Sequence, residues 1–315
     1  MQQRNILAID GGGIRGIIPA LILSHIERRA GRPIAELFDL VVGTSTGGIL
    51  ALGLSMPDPL ARDGSQYSAS ELVEFYKHCG PQIFDPSLWR SLRSVSGVLD
   101  ESYSAETLEH VLESYFKTRT LAECRVPTMV TTYAIERREA VFLRSFNPDH
   151  KAIRCVDAAR ATTAAPTFFE PASVRIAGEP HALIDGGVYI NAPAVSAYAE
   201  AIALYPDSDI NVVSIGTGHL TRPIPLERAV EWGAAGWLAP LLDCMFDGVA
   251  KVTDQQMDLL LGDGYYRFQL SLDNANDEMD DASEANLAAL EAAALALIAR
   301  EEQKLDRVVA RLLSG

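Results

Sequence analysis

The feature that most constrains this chain is Gly43-Thr44-Ser45-Thr46-Gly47, set between the apolar run Phe38 to Val42 and a helical stretch from Ser45 to Leu54. A serine between two glycines at a strand-to-helix turn is the setting of a nucleophile elbow, in which a strained turn projects the hydroxyl above the sheet. The flanking glycines remove side chains that would clash in so tight a turn, and the helix N-terminus behind the serine favours developing negative charge. The plainer reading is a small-residue turn with Ser45 capping a helix. The strand before and the helix after favour the elbow.

The rest of the chain supplies a matching framework. Ile6 to Ile9 is a short apolar run bounded by glycines, which reads as a strand buried on both faces, as in parallel sheets. Ile17 to Ala30 carries Leu21, Ile22 and Ile26 at helical spacing, with Gly31 placed to end the helix. Helical patterns recur at Ser70–His78, Ser104–Phe116 and Ile153–Ala161. Strand-like runs recur at Pro127–Ile135, Val141–Leu143, Ala182–Ile184, Asn211–Ile215 and Tyr265–Leu270. A long, interruptible helix is expected over Ser283–Leu313. Strands alternating with helices predict an α/β fold with helices on both faces of the sheet. No repeat or Gly/Ser linker divides the chain, so one domain is expected over 1–315, with 272–315 forming a C-terminal acidic loop and helix.

Charge narrows the partners. The chain carries 42 acidic residues against 27 Lys plus Arg, a formal net charge of −15. That weighs against nucleic acid and against a polybasic anchor to anionic lipid. A lipid would have to be met by an apolar surface or a local basic patch. Cys79, Cys124, Cys155 and Cys244 are widely spaced and form no metal or redox motif, so reduced thiols are expected. With no signal-peptide pattern and no apolar run of about 20 residues, a cytoplasmic protein, peripheral at membranes if it meets them, is expected.

Two further motifs carry chemistry. Asp10-Gly11-Gly12-Gly13-Ile14-Arg15-Gly16 joins a strand to a helix. Successive glycines let backbone N–H groups converge on an anion, either a pyrophosphate or a reaction oxyanion. The string satisfies G-x-G-x-x-G, so a nucleotide-binding module built on Gly11–Gly16 is one reading. That reading wants an acid at the end of the next strand, where this chain has Gly43-Thr44-Ser45. Asp185-Gly186-Gly187 follows the strand Ala182–Ile184; alone it reads as a common turn.

In this order, the three motifs resemble those of the patatin-like phospholipase family, with no substitution. Ala161-Thr162-Thr163-Ala164-Ala165-Pro166, Asn191-Ala192-Pro193 and Ser214-Ile215-Gly216-Thr217-Gly218 extend the resemblance over residues 5 to 220, roughly. It implies a three-layer α/β/α sandwich with a mostly parallel central sheet. It implies a lipid acyl hydrolase of phospholipase A or lysophospholipase type, with Ser45 as nucleophile and Asp185 as base. It further implies an oxyanion hole from Gly11, Gly12, Gly13 and Arg15, elbow and motif glycines at Gly43, Gly47, Gly186 and Gly187, and neither metal nor organic cofactor. The partner implied is a membrane lipid, met transiently. Some bacterial members are effectors of anti-phage defence switched on by a cyclic nucleotide, which gives an alternative reading with such an activator.

Weaker features stay open at this stage. Ser45, Asp185 and His219 match the chain order of a Ser–Asp–His triad. The stretch Asp273–Glu284 holds six acids and no base, a solvated loop or a cation site without the glycine of an EF-hand. Pro81–Leu99 mixes apolar residues with Arg90 and Arg93 and reads as a packed surface segment or as a lid contacting lipid. Trp232 and Trp237, within Glu231–Leu242, allow a similar reading.

Overall fold

The computed structural model describes residues 2–59, 64–85, 90–93, 99–219, 223–273 and 275–314. Its centre is an eight-stranded sheet whose strands are β1 (Gln2–Ile9), β2 (Leu40–Thr44), β5 (Thr128–Ala134), β6 (Glu139–Arg144), β7 (Ala172–Ile176), β8 (Glu179–Asp185), β9 (Ser208–Ile215) and β10 (Tyr265–Phe268). A separate antiparallel pair is β3 (Arg90–Arg93) with β4 (Leu99–Ser102). The order is β10-β9-β1-β2-β5-β8-β7, with β6 also on β5. β10, β9, β1, β2 and β5 pair in parallel, whereas β6, β7 and β8 join antiparallel. The central sheet is therefore mixed, and the elbow and glycine loop both leave its parallel half.

Alternation along the strands shows why the parallel half takes helices on both faces. Leu7 and Ile9 enter one apolar core, and Ile6 and Ala8 the other. Val41 and Val42 divide in the same way. The larger core is closed by α1 (Ile17–Ala30), α2 (Thr46–Ser55), α3 (Ala69–Ile83), α4 (Ala105–Phe116), α5 (Cys155–Thr162), α8 (Glu284–Arg300) and α9 (Glu302–Ser314). The smaller core lies under α6 (Ala194–Leu204) and α7 (Ala234–Leu261).

Most expected elements are present. α1 has the expected ends, and Gly31 closes it at φ 65° in the left-handed region. The C-terminal helix is broken at Glu301. The sequence reading did not place β7, α6 or the full length of α7. The first has five residues, and α6 and α7 begin without a side-chain cap. Of the segment Pro81–Leu99, Pro81 to Ile83 form the last turn of α3 and Arg90–Arg93 pair with Leu99–Ser102. Phe84 lines the cavity, and residues 86–89 and 94–98, with Leu88, Trp89, Val95 and Val98, lie outside the described residues. No helix among the described residues is long and apolar enough to cross a membrane.

Candidate active site

Ser45 sits at φ 55° and ψ −124°, a backbone conformation rare outside glycine that costs about 1–3 kcal/mol. The flanking glycines explain how the turn closes. A Cβ on Gly43 would lie 2.0 Å from the Gly47 carbonyl oxygen, and one on Gly47 would lie 2.3 Å from that of Ile9. The strain is held by a buried threonine. The Ser45 N–H donates to Thr162 Oγ1 at 2.9 Å, and the Thr162 hydroxyl donates to the Thr131 carbonyl at 2.7 Å. Thr162→Val keeps the shape but removes this acceptor. It is expected to lower unfolding free energy by about 1–3 kcal/mol in urea titration, with Thr162→Ser losing less.

Asp185 meets Ser45 because both end strands on the same partner. β2 pairs with the first half of β5, Thr44 opposite Thr131. β8 runs the other way and pairs with the second half, Asp185 opposite Thr132. β6 covers Met129–Ala134 of β5, so β2 and β8 share the remaining edge and their ends converge. The Asp185 carboxylate is buried, borders the same cavity as Ser45 and accepts at Oδ1 from the Gly187 N–H at 2.7 Å. Burial pushes its pKa up to about 7, against the lowering effect of the Ser45 side chain and the Gly187 N–H. Gly186 is required beside it, since a Cβ there would lie 2.1 Å from Thr131 Oγ1.

The glycine loop faces the same point. The Gly11 carbonyl accepts from Thr217 Oγ1 at 2.6 Å, and the Gly12 carbonyl accepts from the Arg15 N–H at 3.1 Å and Arg15 Nε at 3.3 Å. In a planar trans peptide the N–H points opposite to the carbonyl. Anchoring those two carbonyls therefore turns the Gly12 and Gly13 N–H groups away from Thr217 and Arg15. Gly12 and Gly13 line a cavity together with Ser45 and Asp185. Gly11 spends its N–H on the Asn191 carbonyl at 3.0 Å. Arg15 is buried behind the loop and is not among the residues lining the cavity. Of the four residues expected to serve an oxyanion, Gly12 and Gly13 are the two that border the cavity. Asp10 anchors the base of the loop through a buried ion pair with Arg267 at 2.6 Å.

The cavity has a volume of about 70 Å³. Its walls include Ile49, Phe75, Ile83, Phe84, Leu108 and Phe168. Asp185 is the only Asp, Glu, Lys or Arg among the described lining residues. One end of the space is thus a polar cluster and the remainder is apolar, which suits an ester on a hydrocarbon chain. Phe246 and Met279 complete the lining from α7 and the acidic stretch. The Met279 carbonyl accepts the Ile14 N–H at 2.8 Å.

His219 does not join this group. Its Nε2 lies 3.1 Å from Ser271 Oγ, and it is not among the lining residues, which corrects the triad reading. In the acidic stretch, Asp280 accepts from the Tyr103 hydroxyl, and Asp281 from Asn276 and the Ser283 N–H. Thr162, Asn191 and Thr217 were all within stretches legible as motifs, yet no role followed from their types. Their function is to hold other backbone groups, and that is visible only once the partners are.

A family model described as patatin-like phospholipase matches residues 7–198. Patatin-like protein 2 of Oryza sativa subsp. indica is 30% identical over 331 aligned positions, covering 90% of this chain and 80% of that protein. A cGAMP-activated phospholipase of Pseudomonas aeruginosa is 30% identical over 273, covering 84% of this chain and 77% of that protein. Patatin-17 of Solanum cardiophyllum is 29% identical over 320, covering 90% and 80%.

Proposed function

The chain belongs to the patatin-like phospholipase family, a family of lipid acyl hydrolases, and on that premise we propose that it cleaves fatty acyl esters of phospholipids or lysophospholipids through a Ser45–Asp185 dyad. The observation that carries this reading is the meeting of Ser45 with a buried Asp185, its pKa pushed up to about 7, on the wall of one largely apolar cavity. An ordinary aspartate, with a pKa of about 3.9, is a weak base for a serine hydroxyl. Raising that value towards neutrality brings the base closer to what proton transfer demands.

The steps follow from these positions. Asp185 takes the proton of Ser45 as Oγ attacks the ester carbonyl. The N–H groups of Gly12 and Gly13 receive the tetrahedral oxyanion. Collapse expels the alcohol, which takes the proton back from Asp185, and leaves an acyl-Ser45. Water, deprotonated by Asp185, then attacks that ester. The new tetrahedral centre collapses to free fatty acid, and the proton returns to Ser45 Oγ. The cavity residues hold and orient the acyl chain throughout.

The reading is tested by treating the protein with a fluorophosphonate and locating the adduct by peptide mass. A single stoichiometric adduct on Ser45, with parallel loss of fatty acid release from phospholipid vesicles, is the expected result. An unlabelled Ser45 in a protein that still releases fatty acid would refute it. The pH dependence is a second check. Asp185 must be ionised to act, so kcat/KM should climb about tenfold per pH unit below about 7 and level off above it. A flat profile between pH 5 and 7 would remove Asp185 from the role of base.

One finding favours a second reading, a cyclic-nucleotide-activated effector: the relative whose name states activation by cGAMP. Comparing the vesicle assay with and without a panel of cyclic nucleotides separates the two. Activity that appears only with a nucleotide supports the effector; full activity without one supports a constitutive hydrolase. The nucleotide-binding module is disfavoured on charge. A pyrophosphate at Gly12 and Gly13 would meet the Asp185 carboxylate and no Lys or Arg among the described lining residues.

A further inference from the structure

The helix α7 is longer than the sheet it packs on. It returns the chain from the carboxyl end of β9 to the amino end of the neighbouring parallel strand β10. A crossover of that kind needs to span only the height of the sheet. The eight residues of β9 extend about 26 Å at 3.3 Å each, whereas the 28 residues of α7 extend about 42 Å at 1.5 Å each. Phe246 marks the level of the catalytic cavity, since it lines that space and approaches Gly187 beside Asp185. From Phe246 to the end of the helix is about 23 Å, close to the height of the sheet. The turns before Phe246, which include Pro240, therefore run on beyond the level of Ser45 for about 18 Å of helix.

That projecting part has the wrong surface for water. From Trp232 to Phe246 the sequence holds one charged residue, Asp243. Trp237, Leu241 and Met245 follow at intervals of four, on one helical face, and all three are exposed. Leu226 and Val230, just before the helix, are 76% and 71% exposed. Trp232 packs edge-on against Trp237 at 5.1 Å between ring centres. Tryptophan with exposed aliphatic side chains is the composition of a segment seated at a bilayer interface.

We propose that Leu226, Val230, Trp237, Leu241 and Met245 form a surface that docks on the interface of a zwitterionic lipid bilayer and presents the cavity mouth to it. The proposal rests on the lipid hydrolase reading, and the cavity itself argues for that occupant. The same helix that carries the exposed face supplies Phe246 to the cavity wall, so an acyl chain leaving a bilayer beneath Trp237 enters an apolar path to Ser45. A net charge of −15 disfavours anionic lipid and makes apolar contact the main source of affinity.

The test uses the triple substitution Trp237→Ser, Leu241→Ser, Met245→Ser, all at exposed positions outside the cavity lining. Cosedimentation with phosphatidylcholine vesicles is measured in a Ser45→Ala background, so that the vesicles stay intact. Hydrolysis of a monomeric short-chain phosphatidylcholine is measured with Ser45 present. The expected result is vesicle partitioning weakened by roughly tenfold or more, with hydrolysis of the soluble ester unchanged. Equal partitioning of the triple variant and its parent would overturn the docking surface. So would a shift from dimer to monomer in sedimentation velocity with unchanged partitioning, which would mean that a second copy covers this face, Val252 and Leu259 included. No hydrolysis of the soluble ester by the parent protein, with or without the cyclic nucleotide panel, would instead count against the hydrolase reading and leave the vesicle comparison to stand on its own.

Discussion

Asp185→Asn is expected to end turnover and, above neutral pH, to make the protein more stable than its parent. Asparagine can still accept the Gly187 N–H, but it cannot take a proton from Ser45. Loss of a general base costs about 10²- to 10⁴-fold, and the upper end is expected where no histidine joins the site. Ser45→Ala should lose as much, because the two side chains act as one unit and their losses do not add. The stability effect comes from burial. The folded state holds the Asp185 proton with a pKa of about 7 against an ordinary value of 3.8. The folded protein thus binds this proton more tightly than the unfolded chain does. That advantage is complete below the unfolded value and is lost as pH rises through the folded value. A shift of this size corresponds to a few kcal/mol, about 4 at most. Urea unfolding at pH 4 should find parent and Asp185→Asn alike, and at pH 8 the variant should be more stable. A variant that is less stable at both pH values would mean that the carboxylate is needed for the fold, not tolerated for chemistry.

The second large effect belongs to Gly47→Ala. The added methyl carbon would stand 2.3 Å from the Ile9 carbonyl oxygen and 2.8 Å from that of Asp10. Both are backbone atoms at the end of β1, held in the middle of the sheet, so neither can swing aside. The elbow would have to open, and with it the contact between α2 and β1. A loss of about 4 kcal/mol or more is expected, read as failure to recover soluble folded protein or as a collapse of the unfolding midpoint. Gly31→Ala is the control. It places a side chain at positive φ, 65°, a strain that position 47 does not carry, but nothing lies within 4 Å of the new carbon. Its cost should be confined to backbone strain, about 1 kcal/mol. Equal behaviour of the two variants would show that crowding against β1 does not make Gly47 necessary.

These two sites differ in how far they could be read from the chain. The need for glycine at position 43 follows from the turn itself, a matter of five consecutive residues, whereas at position 47 it comes from the Ile9 carbonyl on β1. Gly186 looks the same on paper, but its reason is Thr131, which lies 55 positions earlier and reaches it only through the pairing of β8 with β5. Arg15 is the opposite case. Its place in the glycine loop suggested a group facing the reaction, whereas its Nε donates back to the Gly12 carbonyl and fixes the loop from behind. His219 matched a triad in chain order, and order says nothing about distance.

By itself the sequence determined what depends on near neighbours. The strand β1 buried on both faces, the bounds of α1 with Gly31 at its end, the strand-to-helix turn at Ser45 and the glycine loop before α1 all arise from alternation, helical spacing and local sterics. The tertiary structure decided what depends on which distant groups share a space. β5 brings the ends of β2 and β8 together, and so brings Ser45 to Asp185 across 140 positions. The carbonyl anchors from Thr217 and Arg15 select Gly12 and Gly13 from the loop. Burial by groups from all over the chain raises the Asp185 pKa, and no window of sequence contains them. The overhang of α7 is a difference between two lengths, helix and sheet, that meet only when the chain is folded.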